Sequence, residues 1–551
     1  MPPESHPFQR RLLVTLIALS LWAPAASAVQ QPVASKSPAA LSAEEREAAD
    51  LVRVGTIRET TKALASDEMQ GRGTAQPGGD KAAAYLADRF AKLKLKPLGE
   101  GGTYLQPVGF KITQVLPETS LKIGDRSLKL GDDFAVSPPY SANRSANGFM
   151  VFVGYGLRDD FKGVALKDRI AVLIGGPPKN ADAAAWNKAE SERNIITYLF
   201  RSGVSGLIIT NGRSKLPYEK LAGYLMRRRV ALASEPDAPD RLPPILYISD
   251  RCAEVVFEGS GTTYAQAKQK ADRGEPASNN LKAMASITVR QKKDKGVGSN
   301  VVGVLEGSDP RLKEQAVVYS AHYDAFGLDS DGRIYRGAAD NALGVAEMLA
   351  IAEAYCGLRA PPRRSIIFLA LTCEEYGLLG AEFWVRHPTW NIENLAANLN
   401  FDGIGTEVYG PVKRIVGFGM EHSDLGAVLE GVVAATGTSI APDPMPDEGA
   451  FYRSDHYAFV KKGVPALMLL GAPDGETAVF VARARKWLET HYHEPTDEVR
   501  EEWNWDGPAT VATVGLVVGM RVANSDVLPE WLRTSPFNQP RGTSKPPPKV
   551  Q

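Results

Sequence analysis

Cysteine is nearly missing from this chain: its 551 residues include three, Cys252, Cys356 and Cys373. So small and odd a number excludes a disulfide-stapled scaffold and leaves at least one thiol unpaired, so stability must come from buried apolar cores. A surplus of one charge is missing too. Lysine plus arginine and aspartate plus glutamate balance at 64 each, which leaves no basic excess to attract nucleic acid. Beyond the N-terminal segment, no apolar run approaches the roughly 20 residues of a membrane-spanning helix. Two hydrolase signatures are also absent. There is no G-x-S-x-G nucleophile elbow and no H-E-x-x-H zinc helix, which sets aside serine hydrolases and helix-borne single-zinc proteases.

What is present is more telling. Arg10 and Arg11 precede the apolar LLVTLIALSL and the small-residue WAPAASA, the pattern of a signal peptide over residues 1–28 cleaved after Ala28. The expectation is export to the periplasm or the extracellular space, with no stable membrane anchor. The length exceeds what one core supports, so two or more domains are expected. Residues 78–95 place Ala83, Leu86, Phe90 and Leu93 at helical spacing, and a β-rich block follows through GFMVFVGYGL and DRIAVLIGGPP. After about residue 286 the pattern changes to long α/β alternation. NALGVAEMLAIAEAYC reads as an amphipathic helix, and RRSIIFLALTC as a strand buried on both faces. The fold class expected is α/β, a mixed central sheet with helices on both faces.

Two adjacent glutamates, Glu374 and Glu375, close the buried run in LALTCEEYGLLGAEFW. Side by side they repel, and both are costly to desolvate without a compensating positive charge. Other polar residues also stand at the ends of apolar elements. His322 closes AVVYSAHYD, Asp340 begins DNALGVAEM, Asp402 closes LAANLNFD, and His493 lies in the loop HYHEPTDE. Taken singly, Asp340 reads as a helix N-cap, Asp402 as a turn former and His322 as a satisfied half-buried imidazole. Taken together, they put imidazoles and carboxylates at the mouth of one sheet, where α/β folds bind ligands. Mixed nitrogen and oxygen donors of this kind suit zinc.

The motifs SAHYD, GAADNALGVA, EEYGLLGA, NFDGIG, RSDHYAF and YHEPTDE occur in the order found in a known family. Over roughly residues 45–530 the chain resembles the secreted dinuclear zinc exopeptidases of metallopeptidase family 28, a group that includes aminopeptidase Y and glutamate carboxypeptidase II. VFVGYGL…KDRIAVLIGGPP resembles the start of the protease-associated (PA) domain inserted in many members. The resemblance implies a catalytic domain in two segments, 45–140 and 286–530, with a β-rich PA domain at 141–285. The Pro-rich stretch 531–551 is expected to be a disordered tail.

The resemblance also implies roles. Two zinc ions per chain would be held by His322 and Asp402 on one side and by Glu375 and His493 on the other, with Asp340 bridging. Glu374 would be the general base for attack by zinc-activated hydroxide, and Tyr492 would assist the oxyanion or else only pack. Two divalent ions bring four positive charges; the three ligand carboxylates and one hydroxide cancel them, which leaves Glu374 free to carry a proton. Asp324 would accept the second imidazole N–H of His322. Asp455 and His456 lie near the site without ligating, and YHEPTD selects His493 over His491. His387, His422 and His491 read as surface residues. A cis peptide bond between Asp340 and Asn341 is also implied. The function expected is a zinc aminopeptidase acting on peptides, with no nucleic-acid partner. The alternatives are a carboxypeptidase or dipeptidase of the same family, or an inactive PA-domain binding protein.

Overall fold

The computed structural model describes residues 40–136, 143–179, 192–212, 216–236 and 242–543. The expected signal peptide at 1–28 lies outside the described residues.

The continuous apolar runs of the C-terminal half form the centre of a ten-stranded mixed sheet. Its main path runs Ser439–Ala441, Val412–Phe418, Ala466–Pro473, Leu395–Phe401, Ala316–His322, Ser365–Leu371, Gln291–Leu305, Leu105–Val115 and Arg229–Leu232. Every residue of Ala316–His322, Ser365–Leu371 and Leu395–Phe401 is buried. Successive side chains on a strand point to opposite faces, so each run feeds two cores. Val317, Tyr319, Phe368 and Phe401 pack beneath the helices Gly344–Gly357 and Asp506–Asn524. Val318, Ile367 and Leu369 pack with Trp384 and Phe459 on the other face.

Helix Gly344–Gly357 departs from the amphipathic expectation. Val345 through Ala352 are all buried, because the helices Val54–Leu64 and Asp506–Asn524 lie over the face that would otherwise meet water. Its first residue must be glycine. A Cβ on Gly344 would stand 2.2 Å from Asn341 Oδ1 and 2.5 Å from the Phe401 carbonyl, so the helix could not start so close to the sheet.

A second, eight-stranded sheet runs Arg126–Leu128, Ser120–Ile123, Asn279–Val289, Arg144–Phe152, Ile170–Ile174, Gly206–Thr210, Ile245–Ile248 and Phe134–Val136. It has its own cores on both faces. Its first strands precede residue 141, so this body begins earlier in the chain than expected. Strands Ser120–Ile123, Arg126–Leu128 and Phe134–Val136 are three or four residues long, too short to show a period in the sequence. One segment between its strands, Arg229–Leu232, leaves it and pairs antiparallel with Leu105–Val115 at the edge of the central sheet.

The expected disordered tail is also corrected for residues 531–543. Phe537 is fully buried among Trp531, Phe451 and Val460, and Arg541 donates to the Leu395 carbonyl at 2.8 Å. One aromatic ring and one arginine tie down a stretch whose composition reads as loop. Residues 544–551 lie outside the described residues.

Arg72 links the N-terminal helices to the loops below the sheet. Its fully buried guanidinium donates to four carbonyls, those of Tyr323 (2.5 Å), Leu64 (2.6 Å), Arg336 (2.6 Å) and Gly337 (2.7 Å). Burial pulls its pKa down to about 10, and Asp497 and Asp324 oppose that fall. Arg72→Ala would take a buried donor from each of these carbonyls, of which that of Gly337 keeps the Ala342 N–H at 3.1 Å, and each orphaned group carries a desolvation cost. The variant is expected to lose about 3 kcal/mol or more of stability, read as a lower urea midpoint of the chelator-treated protein. An unchanged midpoint contradicts this account of Arg72.

Candidate metal centre

The parallel strands stop in register: His322 stands opposite Leu371, and Ser320 opposite Asn400. Their carboxyl ends therefore open into one crevice, which receives His322 itself, Glu374 and Glu375 just past Leu371, and Asp402 just past Phe401. Asp340 arrives from the side, on the turn Ala338–Leu343 ahead of helix Gly344–Gly357. The Asp340–Asn341 peptide bond is cis. His493 arrives from the loop after helix Thr477–Thr490.

These side chains form two donor groups. His322, Asp340 and Asp402 make one; Asp340, Glu375 and His493 make the other; within each, the candidate ligand atoms lie within 4.8 Å of one another. Asp340 belongs to both through different oxygens. Its Oδ1 is 3.3 Å from His322 Nε2, and its Oδ2 is 3.3 Å from His493 Nε2. The outer carboxylates complete the groups, with Asp402 Oδ1 at 3.4 Å from His322 Nε2 and Glu375 Oε2 at 2.9 Å from His493 Nε2. Glu374 is in neither group, and its Oε2 lies 3.9 Å from His322 Nε2. His322 Nε2 is buried and without a hydrogen-bond partner, although three carboxylates face it. A buried imidazole nitrogen aimed at carboxylate oxygens, with no proper hydrogen bond, fits a cation between them.

Electrostatics agree with that fit. Burial lifts the Glu374 pKa well above the ordinary range, with Asp402, Asp455 and Glu375 adding to the rise against His322. Glu375 is pushed up to about 7 by burial and the Asp340 charge, against the pull of His493. Burial disfavours charged imidazoles, yet the carboxylates outweigh it. His322 is raised well above its usual value by Glu374 and Asp402, and His493 to about 9 by Glu375 and Asp340. Protons are held here where divalent cations would serve the same charges.

The supporting contacts differ from expectation in several places. His322 Nδ1 faces the backbone carbonyl of Asp324 at 3.2 Å, while the nearest Asp324 carboxylate oxygen is 3.7 Å away. That carboxylate accepts instead from the Glu374 backbone N–H (3.0 Å) and the Thr74 hydroxyl (3.2 Å), so it fixes the paired glutamates. In RSDHYAF it is Ser454 that touches a donor, its hydroxyl donating to Asp402 Oδ2 at 2.5 Å. Asp455 and His456 are buried outside both groups. Burial moves Asp455 up to about 8 and His456 down to about 3. His491 is turned away, against Thr496 (3.0 Å) and Arg500 (2.9 Å). His422, expected at the surface, packs between the rings of Phe451 and Phe537.

Two supporting residues were given no role by sequence reasoning. Asp497 accepts from the backbone N–H groups of Ala339 (2.9 Å) and Asp340 (3.1 Å). Asn341 donates to the Phe401 carbonyl (2.8 Å) and accepts from the Gly344 N–H (3.0 Å). Together they pin the turn that carries Asp340. Both lie within motifs already singled out, YHEPTDE and GAADNALGVA, and that neighbourhood was the available signal.

The Tyr492 ring stacks on His493 at 3.6 Å between centroids, and its hydroxyl accepts from Arg453 at 3.3 Å. It lines a cavity of about 130 Å³ that opens from the donor groups. Asp340, Glu374 and Asp402 stand at one end; Ile404, Phe418, Met445, Met468, Leu470, Phe480 and Leu488 supply an apolar wall; Asp443, Glu448 and Arg453 are the remaining charges.

Residues 300–518 match the model of peptidase family M28. Vacuolar membrane proteases are similar over a shorter stretch. That of Yarrowia lipolytica is 36% identical over 112 residues, 20% of this chain and 10% of its own length. That of Clavispora lusitaniae is 37% identical over 107 residues, 19% and 9%. The match thus spans about a tenth of these curated relatives. Among solved structures, the fold is similar to an aminopeptidase from Aneurinibacillus sp. strain AM-1, with TM-score 0.60 and 17% identity over 88% of this chain and 97% of that one. It is also similar to the zinc aminopeptidase BSAP of Bacillus subtilis, with TM-score 0.56 and 17% identity over 86% and 97%. The expectation of a periplasmic or extracellular protein is overturned by the curated relatives, which are vacuolar membrane proteases. Among the described residues, no helix is long and apolar enough to cross a membrane. Residues 300–518 thus carry a match to peptidase family M28, and the fold over most of the chain is similar to that of these two aminopeptidases.

Proposed function

We propose that the protein is a zinc exopeptidase with two ions per chain, and that it removes N-terminal residues from peptides. The observation that carries this reading is the sharing of Asp340 between two donor groups while Glu374 stands free beside them. His322 and Asp402 would hold one zinc, Glu375 and His493 the other, with Asp340 between. Bound zinc would supply Lewis-acid polarisation of the peptide carbonyl and make water a stronger acid near neutral pH.

This chain's own groups would do the rest. Glu374, with its pKa raised by burial, takes a proton from the attacking water and returns it to the leaving amine. Tyr492, fixed by its stack on His493 and its bond from Arg453, can donate its hydroxyl hydrogen to the carbonyl oxygen as charge develops there. The cavity's charge supports an aminopeptidase. Beyond the carboxylates of the two donor groups and Glu374, Asp443 and Glu448 face a single cation, Arg453, so a free ammonium is better matched than a free carboxylate. The apolar wall suits a side chain such as Leu, Met or Phe. Arg453 is the one feature that favours a carboxypeptidase. Amino-acid 4-nitroanilides with apolar residues are therefore expected to be cleaved, and N-blocked dipeptides ending in Glu to resist. The reverse result would reassign the enzyme as a carboxypeptidase.

Glu374→Gln is expected to lower kcat by roughly 10²- to 10⁴-fold with the zinc content intact, because the amide removes a base and no ligand. Glu375→Gln is expected to lose zinc. Metal loss in the first variant and not the second would exchange the two roles.

Metal-free protein has a distinctive pH response. The folded-state values of Glu375 and Asp497, both about 7, of Asp455, about 8, and of His493, about 9, all lie above ordinary values. The folded form thus binds these protons more tightly than the unfolded chain, so that stability is lost as pH rises. The carboxyl contributions fade between about pH 4 and 8 and the histidine contribution between about 6.5 and 9. Asp340, which is depressed, acts only at more acid pH. The chelator-treated protein should therefore lose Tm steadily from pH 5 to 9 by calorimetry, and zinc should flatten the decline by taking the protons' place. A rising Tm over that range in the chelated protein contradicts the electrostatic account.

A further inference from the structure

Met226–Val230 contains three consecutive arginines, Arg227, Arg228 and Arg229. It lies between strands of the second sheet in sequence, yet in space it reaches the candidate metal centre. Helix Tyr218–Met226 ends there, and the chain then enters strand Arg229–Leu232 at the edge of the central sheet.

Arg227 donates to the backbone carbonyl of His493. Its guanidinium carbon lies 4.0 Å from the centroid of the Phe326 ring and 4.7 Å from that of Tyr335. The Phe326 ring meets the His493 imidazole edge-on at 4.7 Å. One planar cation therefore fixes both the backbone of His493 and the ring against which its imidazole rests. His493 needs such a hold, since its φ is 60°, a left-handed conformation that L-residues rarely adopt unless their surroundings impose it. Lysine could not replace this contact, because only guanidinium offers a flat face for stacking together with several in-plane donors.

We propose that Arg227, supplied from within the second body's sequence, is a positioning residue that holds His493 in place for one metal ion. The inference rests on the two-metal reading above. It is separable from a simple charge effect, because the two predict opposite signs. A cation beside a divalent ion repels it, so deleting Arg227 would tighten metal binding if charge alone counted. If Arg227 positions His493, the same deletion weakens binding at one site and spares the other.

The test is zinc titration of the full-length, chelator-treated protein against a competing chelator, for wild type, Arg227→Ala, Arg227→Lys and Arg229→Ala. Arg229, which lies over the Tyr224 ring at 4.3 Å, serves as the control two residues further along the same segment. Wild type and Arg229→Ala should bind two ions alike. Arg227→Ala and Arg227→Lys should both bind one ion roughly 10- to 100-fold more weakly and the other within about twofold. In a Glu375→Gln background, Arg227→Ala should add little further loss, because both substitutions act on the same ion. Cobalt-substituted protein gives a second readout, since the absorption of one of two ions should change. If wild type and Arg227→Ala bind both ions equally well, or the variant binds more tightly, the inference is overturned while the two-metal reading stands. If wild type itself binds fewer than two ions, that reading fails and the inference with it.

Discussion

Four carboxylates and two imidazoles crowded at one end of a sheet set the constraint on which this structure depends. Asp340, Glu374, Glu375 and Asp402 are mostly removed from water and close to His322 and His493. Charges gathered in this way raise one another's cost, and without a counter-charge they hold protons instead. The surrounding framework keeps them together despite that cost. Asp497 and Asn341 pin the turn of Asp340, the Asp324 carboxylate ties down Glu374, and Ser454 holds Asp402. Beneath them, Asn398, Ser320 and Asn400 form a hydrogen-bonded chain across the buried strands that leads to Ser454. Apart from the Asn398 side-chain oxygen, which is buried without a partner, this chain is bonded from end to end and stiffens the strand ends.

Much of this was legible in the sequence because the candidate ligand positions fall where apolar runs stop. Strand Ser365–Leu371 is a nearly continuous apolar stretch, and Leu395–Phe401 is apolar apart from Asn398 and Asn400, so their ends and the acids just beyond them stand out. Helix Pro77–Lys92 was visible for a similar reason, with Ala83, Leu86 and Phe90 at helical spacing. Helix Gly344–Gly357 was found but misjudged. Its small residues allow neighbours to close over every side, and no local pattern reports how many neighbours a helix has.

The contacts that resisted reading join residues far apart in the chain. Arg72 has an unremarkable sequence setting, and its four carbonyl partners come from three separate segments. The role of Asp324 was placed on the right residue and the wrong atom, because a carboxylate two residues after a histidine can turn to either neighbour. Strand Arg229–Leu232 is too short to announce that it changes sheets. Phe537 shows that a polar, proline-rich stretch is anchored by a single ring when an apolar hollow awaits it.

The central claim is that Asp340 bridges two ions, one against His322 and Asp402 and the other against Glu375 and His493. Anomalous diffraction at the zinc edge from crystals of the zinc-loaded protein tests it most directly. The account predicts two peaks, one on each side of the Asp340 carboxylate, both in contact with it. A single peak, or peaks centred on Asp455 and His456 with none at Asp340, would contradict it.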